Sequence, residues 1–186
     1  MDELPPPLAG ALHHLRLLDP RDRPMQAAHW LAQGLDSPCL RELAGLRGPE
    51  AEVDGLWHRA LAELGAHVPP PAPHFTAAPW AARRVLAGTE DVDWLLRVLW
   101  LDPFEPAPEE EARLGRVVYA LEQHISSWSW TKDMCRRPRL LGRARARAEL
   151  ATAEAELRRV PDVLRALAEA DLDAAEAAID PAACRR

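Results

Sequence analysis

The chain has 186 residues and 20.7 kDa, enough to bury a core without disulfide staples, and its net charge of -6 argues against a dedicated nucleic-acid binder. Two Ile, nine Val and four Thr against abundant Ala, Leu, Glu and Arg speak against a sheet. Three cysteines without CxxC spacing, a Met-Asp-Glu-Leu-Pro-Pro-Pro start lacking a basic and an apolar region, and apolar runs far short of the roughly 20 residues of a membrane span predict a reduced, cytoplasmic protein with no membrane contact.

After the proline-rich start, Leu8, Leu12, Leu15 and Leu18 recur at helical spacing until Asp19-Pro20, and a second helix is predicted from Pro24 to Gln33. Gly34 ends it, Ser37 caps a third helix with Pro38 in its first turn, and this helix fades near Gly45. From Pro49 to Leu64 a fourth helix aligns Val53, Leu56, Trp57, Ala60 and Leu64 before Gly65. Residues 66–79 carry five prolines and are expected to form an extended connector. A fifth helix runs from Trp80 to Ala87. Thr89 is expected to cap a sixth, whose residues Val92 to Leu101 are apolar at eight of ten positions. Such a helix belongs at the centre of a core, with Asp93 and Arg97 pairing on its one wet strip. A seventh helix, from Pro108 to Trp128, aligns Leu114, Val117, Val118, Leu121, Ile125 and Trp128.

The last third changes character. Lys132 and six arginines between Arg136 and Arg147 stand against Asp133, whereas residues 1–110 hold nine basic and seventeen acidic side chains. From Leu150 to Leu167 apolar residues alternate in steps of three and four, a seam suited to another helix or a second copy of the chain, with Pro161 kinking or dividing it. A last short helix covers Leu172 to Ile179. At an offset of 54, Ala27-Ala28 meets Ala81-Ala82, Leu31 meets Val85, Gly34 meets Gly88, Asp36 meets Glu90 and Leu40 meets Trp94. The fold expected is all-α, a compact bundle or irregular αα-hairpin array of about eight to ten helices, with a pair of related three-helix units. Residues 1–130 would form the core domain, and 131–186 a C-terminal helical segment packed on it.

Sites of chemistry are sparse. There is no GxG, no GxxxxGK[ST] and no GxSxG, so phosphate loops and elbow nucleophiles have no support. His13-His14, the pairs Asp54/His58 and Glu63/His67, and Glu122 with His124 are the only metal-ligand candidates, and none has the spacing of a strong motif. No metal and no cofactor is therefore expected. His124 lies on the apolar face of the seventh helix, so His124 and Glu122 are the acid/base candidates for an enzyme or cofactor binder with a pocket between helices. A packed histidine explains the same position. Arg136, Arg139, Arg143 and Arg147 supply a positive ridge for a polyanion or nucleic acid, unless Glu109, Glu110 and Glu111 neutralise it. Trp130, off the buried stripe, is the candidate partner contact.

The segment His29 to Gly45 has the pattern WLxxGxDSPxLRxLAG, followed by a helix ending in Leu64-Gly65. It resembles a motif of uncharacterised small helical proteins of high-GC actinobacteria, over residues 24–65 only. The resemblance implies an origin, in keeping with twenty-two arginines against one lysine, and a helical scaffold. It transfers no catalytic residue. Charge segregation, seven tryptophans and missing catalytic spacing favour a non-catalytic interaction module, an adaptor, immunity-type inhibitor or accessory subunit whose acidic surface meets a basic protein partner.

Overall fold

In the computed structural model the described residues are 4–47, 52–66, 69–101, 107–135 and 143–179, the side chains of 135, 143, 144 and 146 excepted. They form ten α-helices and no strand: α1 (Pro6–His14), α2 (Arg23–Ala32), α3 (Pro38–Ala44), α4 (Val53–Glu63), α5 (Pro73–Leu86), α6 (Val92–Val98), α7 (Glu109–Cys135), α8 (Arg143–Leu157), α9 (Val160–Ala168) and α10 (Leu172–Ile179), with a 3-10 turn at Pro20–Asp22. The expected all-α class is what the chain adopts. It divides into two compact units, 1–77 and 78–186, with the boundary inside α5. Position 130/131, where the charge pattern changes, falls within the uninterrupted α7.

In the first unit α2 packs on α3, α3 on α4, and α4 also meets α1 and α2. Its centre is a pair of fully buried indoles, Trp30 and Trp57, stacked with ring centroids 5.3 Å apart and planes 20° from parallel. Each ring removes about 200 Å² of largely apolar surface from water, roughly 5 kcal/mol of gross stabilisation before ordering costs. The Trp30 Nε1–H donates to the Leu4 carbonyl at 2.6 Å, which Gln26 Nε2 also approaches at 3.3 Å, so the buried indole leaves no unsatisfied donor. Leu12, Leu40, Leu43, Leu56 and Leu61 complete the core. Ser37 Oγ accepts from Leu40 N at 3.2 Å, as an N-cap should. Glu63 of α4 accepts from Cys39 N at 3.1 Å, supplying a second acceptor to the same helix end. Hydrogen bonds from Ser37 and Cys39 hold the Glu63 carboxyl below its ordinary range.

The extended connector expected over 66–79 is only half realised, because α5 begins at Pro73 and passes through Pro79. Pro73 occupies a first turn where no N–H is needed, and Pro79 deletes a single donor. Ala77, Ala78, Ala81 and Ala82 are buried to within 1% of complete, and this packed stripe outweighs the lost bond.

In the second unit α8 lies along α7, α10 packs on α7 and α9 on α10. The expected α7 stripe is buried at Leu114, Val117, Val118 and Leu121 and half-buried at Ile125 and Trp128. Arg113 clamps α10 onto it, with Nε 3.2 Å from Glu176 Oε1, Nη2 2.9 Å from Glu176 Oε2, and a further pairing with Asp173. Such a bidentate fork raises the Arg113 pKa and lowers that of Glu176. Pro161 stands in the first turn of α9 and divides the 150–167 seam in two. Ala153, Leu164 and Leu167 of that seam are buried within this unit.

α6 departs from the expectation of a helix wetted on almost no side. It stops at Val98, and although Leu95, Leu96 and Leu99 are buried, Trp100 is 48% exposed. Asp93 and Arg97 form no ion pair among the described residues; both are exposed. Nor does Thr89 cap this helix: its hydroxyl closes α5 by donating to the Arg84 carbonyl at 2.9 Å, and Asp91 Oδ1 accepts from Trp94 N instead.

The offset-54 correspondence extends to backbone bonding. Leu35 N reaches Trp30 O at 3.0 Å after Gly34, and Thr89 N reaches Arg84 O at 3.0 Å after Gly88. These six-to-one bonds are the Schellman closure, with the glycines at φ +89 and +73. The caps Ser37 and Asp91 then stand 54 apart as well. Both junctions therefore share one hydrogen-bond register.

Candidate functional site

Among the described residues, each unit has a concave surface of about 500 Å³ or more that gathers polar side chains. In the first unit a cavity of about 580 Å³ opens where the end of α1, the start of α2 and α4 converge. Its wall carries His13, His14, Arg16, Arg23, Asp54 and His58. Helical spacing sets Asp54 and His58 one turn apart on α4, and burial of Trp57 between them pins that face.

Contacts within this cluster are close. His13 Nε2 lies 2.8 Å from His58 Nε2, so one ring donates and the other accepts through a bare nitrogen. Arg23 is paired with Asp54, but the two ends differ: the Arg23 side chain is 6% exposed and that of Asp54 71%. The guanidinium carbon lies 5.9 Å from the Trp57 ring centroid, and the His13 ring centroid is 6.3 Å from it, so one indole backs both the cation and the imidazole. Burial, the neighbouring Arg23 and His58 bring the His13 pKa down from 6.5 to about 4. The Arg23 hydrogen bond holds the Asp54 carboxyl below its usual range. Three buried nitrogens in this layer, His13 Nδ1, Arg23 Nε and Trp57 Nε1, have no hydrogen-bond partner among the described residues.

In the second unit a groove of about 500 Å³ runs between α6 and α7, lined by Leu96, Trp100 and Ile125 with Asp93, Arg97, Glu122 and Ser126 around them. The exposed aromatics Tyr119, 53% accessible, and Trp130, 63% accessible, stand on α7.

The acid/base candidates do not come together. His124 Nδ1 is 3.2 Å from Glu156 Oε2 of α8, while Glu122 faces the α6 groove. His124 lines neither that groove nor the smaller depression between α7 and α8. Of the arginine ridge, Arg136 and Arg139 lie outside the described residues, as does the side chain of Arg143; Arg147 is exposed on α8. Among the described residues no group of three or more His, Cys, Asp or Glu side chains is arranged to hold a metal ion, and no helix is long and apolar enough to cross a membrane.

Sequence reasoning named His13 with His14, and Asp54 with His58, as two weak metal candidates and overlooked Arg23. The only sequence signal for the cluster was Asp54 and His58 at i,i+4. Nothing in the order of residues brings α1 and α2 to them; packing on α4 does, through the Trp30–Trp57 stack in the case of α2. Compared with protein-family models, curated proteins and solved structures, the chain matches none.

Proposed function

We propose that the chain is a non-catalytic recognition protein that engages a protein partner through the α6–α7 groove. The observation that carries this reading is Trp100, almost half exposed at the edge of a concave surface whose floor includes Leu96 and Ile125. An indole left partly wet beside an apolar groove is the side chain that most often anchors an interface. Asp93 and Glu122 outnumber Arg97 around it, which favours a partner segment carrying apolar and basic residues. Trp130 extends the aromatic surface along α7.

A photo-crosslinker placed at position 100, with the chain expressed in its native host, tests the reading. One stoichiometric protein adduct is expected from position 100, weakened at least several-fold by Asp93→Lys with Glu122→Lys, and absent from a crosslinker at the exposed Arg41 of the first unit. Equal adducts from both positions, or none from position 100, refute it.

A further inference from the structure

We propose that the cavity at the meeting point of α1, α2 and α4 is a binding site for a small molecule with an oxyanion head group, a phosphate or a carboxylate. This is a second site, independent of the groove on the other unit.

Charge makes the first argument. The cavity wall holds two arginines against the single carboxylate of Asp54, with three histidines beside them. That composition inverts the surrounding sequence, where acids outnumber bases by seventeen to nine over residues 1–110. A local reversal of sign in a concave wall concentrates field on an anion.

Unbalanced hydrogen bonding makes the second. Arg23 is almost fully buried yet lines the cavity, and among the described residues its charge is answered only by Asp54, itself largely in water. A guanidinium carries more donors than one carboxylate oxygen fills, and a wall with surplus donors is completed by oxygen acceptors rather than by a cation. A metal ion would have to share the wall with the buried guanidinium, which repels it.

The third argument is backbone strain. α1 closes with a Schellman bond, Leu17 N to Leu12 O at 2.8 Å, and the residue in the left-handed position is Arg16 at φ +58. The same position is glycine at Gly34, Gly65 and Gly88. A non-glycine residue there is strained, and strain retained at a cavity rim is characteristic of a binding role. Arg16 is one of the residues that line this cavity. Ala170, at φ +60 after α9 and far in sequence from this wall, supplies the internal control.

The volume, about 580 Å³, exceeds that of a bare phosphate ion. Leu18, Pro20, Pro69 and Pro70 give the remaining wall an apolar character that suits the body of a small organic anion.

Calorimetric titration of the full chain with inorganic phosphate and, separately, with acetate at low ionic strength and pH 7 is the test, with thermal unfolding of each variant alongside. One saturable site is expected for at least one of the two anions, and the tighter identifies the head group. Arg16→Gly should raise the melting temperature by relieving the strained backbone while weakening that anion about tenfold. Ala170→Gly should raise the melting temperature and leave anion affinity unchanged. A merely structural Arg16 would not separate the two readouts. The proposal is overturned if neither anion saturates, if Arg16→Gly binds like the parent chain, or if zinc ion alone titrates to one equivalent in a His58-dependent manner.

Discussion

Acidification from pH 7 to 4.5 should weaken the folded state through one histidine. His13 has a folded-state pKa of about 4 against 6.5 when exposed, so between these values the unfolded chain takes up a proton that the folded chain refuses. Its contribution is therefore fully present above pH 6.5 and is lost as the pH falls toward 4. At about 1.4 kcal/mol per tenfold change in proton affinity, the ceiling is about 3 kcal/mol, and solvent screening of the half-buried ring brings the expected loss to about 1.5 kcal/mol. The carboxyls of Asp54, Glu63 and Glu176 are held below their usual values, so their contributions begin to be lost only from about pH 5 downward, and comparison with a His13 variant separates that loss from the one due to His13. Urea unfolding followed by the fluorescence of the buried Trp30–Trp57 pair, at half-unit steps from pH 7 to 4.5, measures the slope. His13→Gln keeps a polar group in place but cannot take up the proton, and should flatten it. A parent chain whose stability is level across this range, or a variant with the parent's slope, would refute the assignment.

Gly88→Ala should cost about 1 kcal/mol, because φ is +73 there although the space beside the added methyl is open; chemical denaturation against the parent chain checks it. Ser37→Ala removes the α3 cap and should destabilise by about 1 kcal/mol in the same assay. Leu121→Ala, in the fully buried α7 stripe, should cost about 3 kcal/mol, read from the denaturation midpoint at unchanged slope. The hydrogen bond to Glu63 and burial push the Cys39 thiol up, so native protein should react with iodoacetamide at Cys39 far more slowly than urea-unfolded protein at pH 7.5, by peptide mass analysis.

Much of the local architecture was legible because caps are short-range devices. Gly34 and Gly88 mark helix ends wherever the chain goes next, since only glycine enters the left-handed region without penalty. The Leu114 to Leu121 stripe declared a buried face by spacing alone. Errors arose where packing overrode local preference. Pro79 stays inside a helix because four alanines on that stretch are buried, and α6 leaves Trp100 wet although its composition suggested burial all round.

Helix class, the five closures and the twin junctions 54 residues apart are thus properties of the amino-acid order, since each depends on atoms within about six residues of one another. The juxtaposition of His13, Arg23, Asp54 and His58 belongs to tertiary structure alone. Three helices meet there, two of them, α2 and α4, joined by the stacked indoles Trp30 and Trp57, and no local preference encodes that encounter.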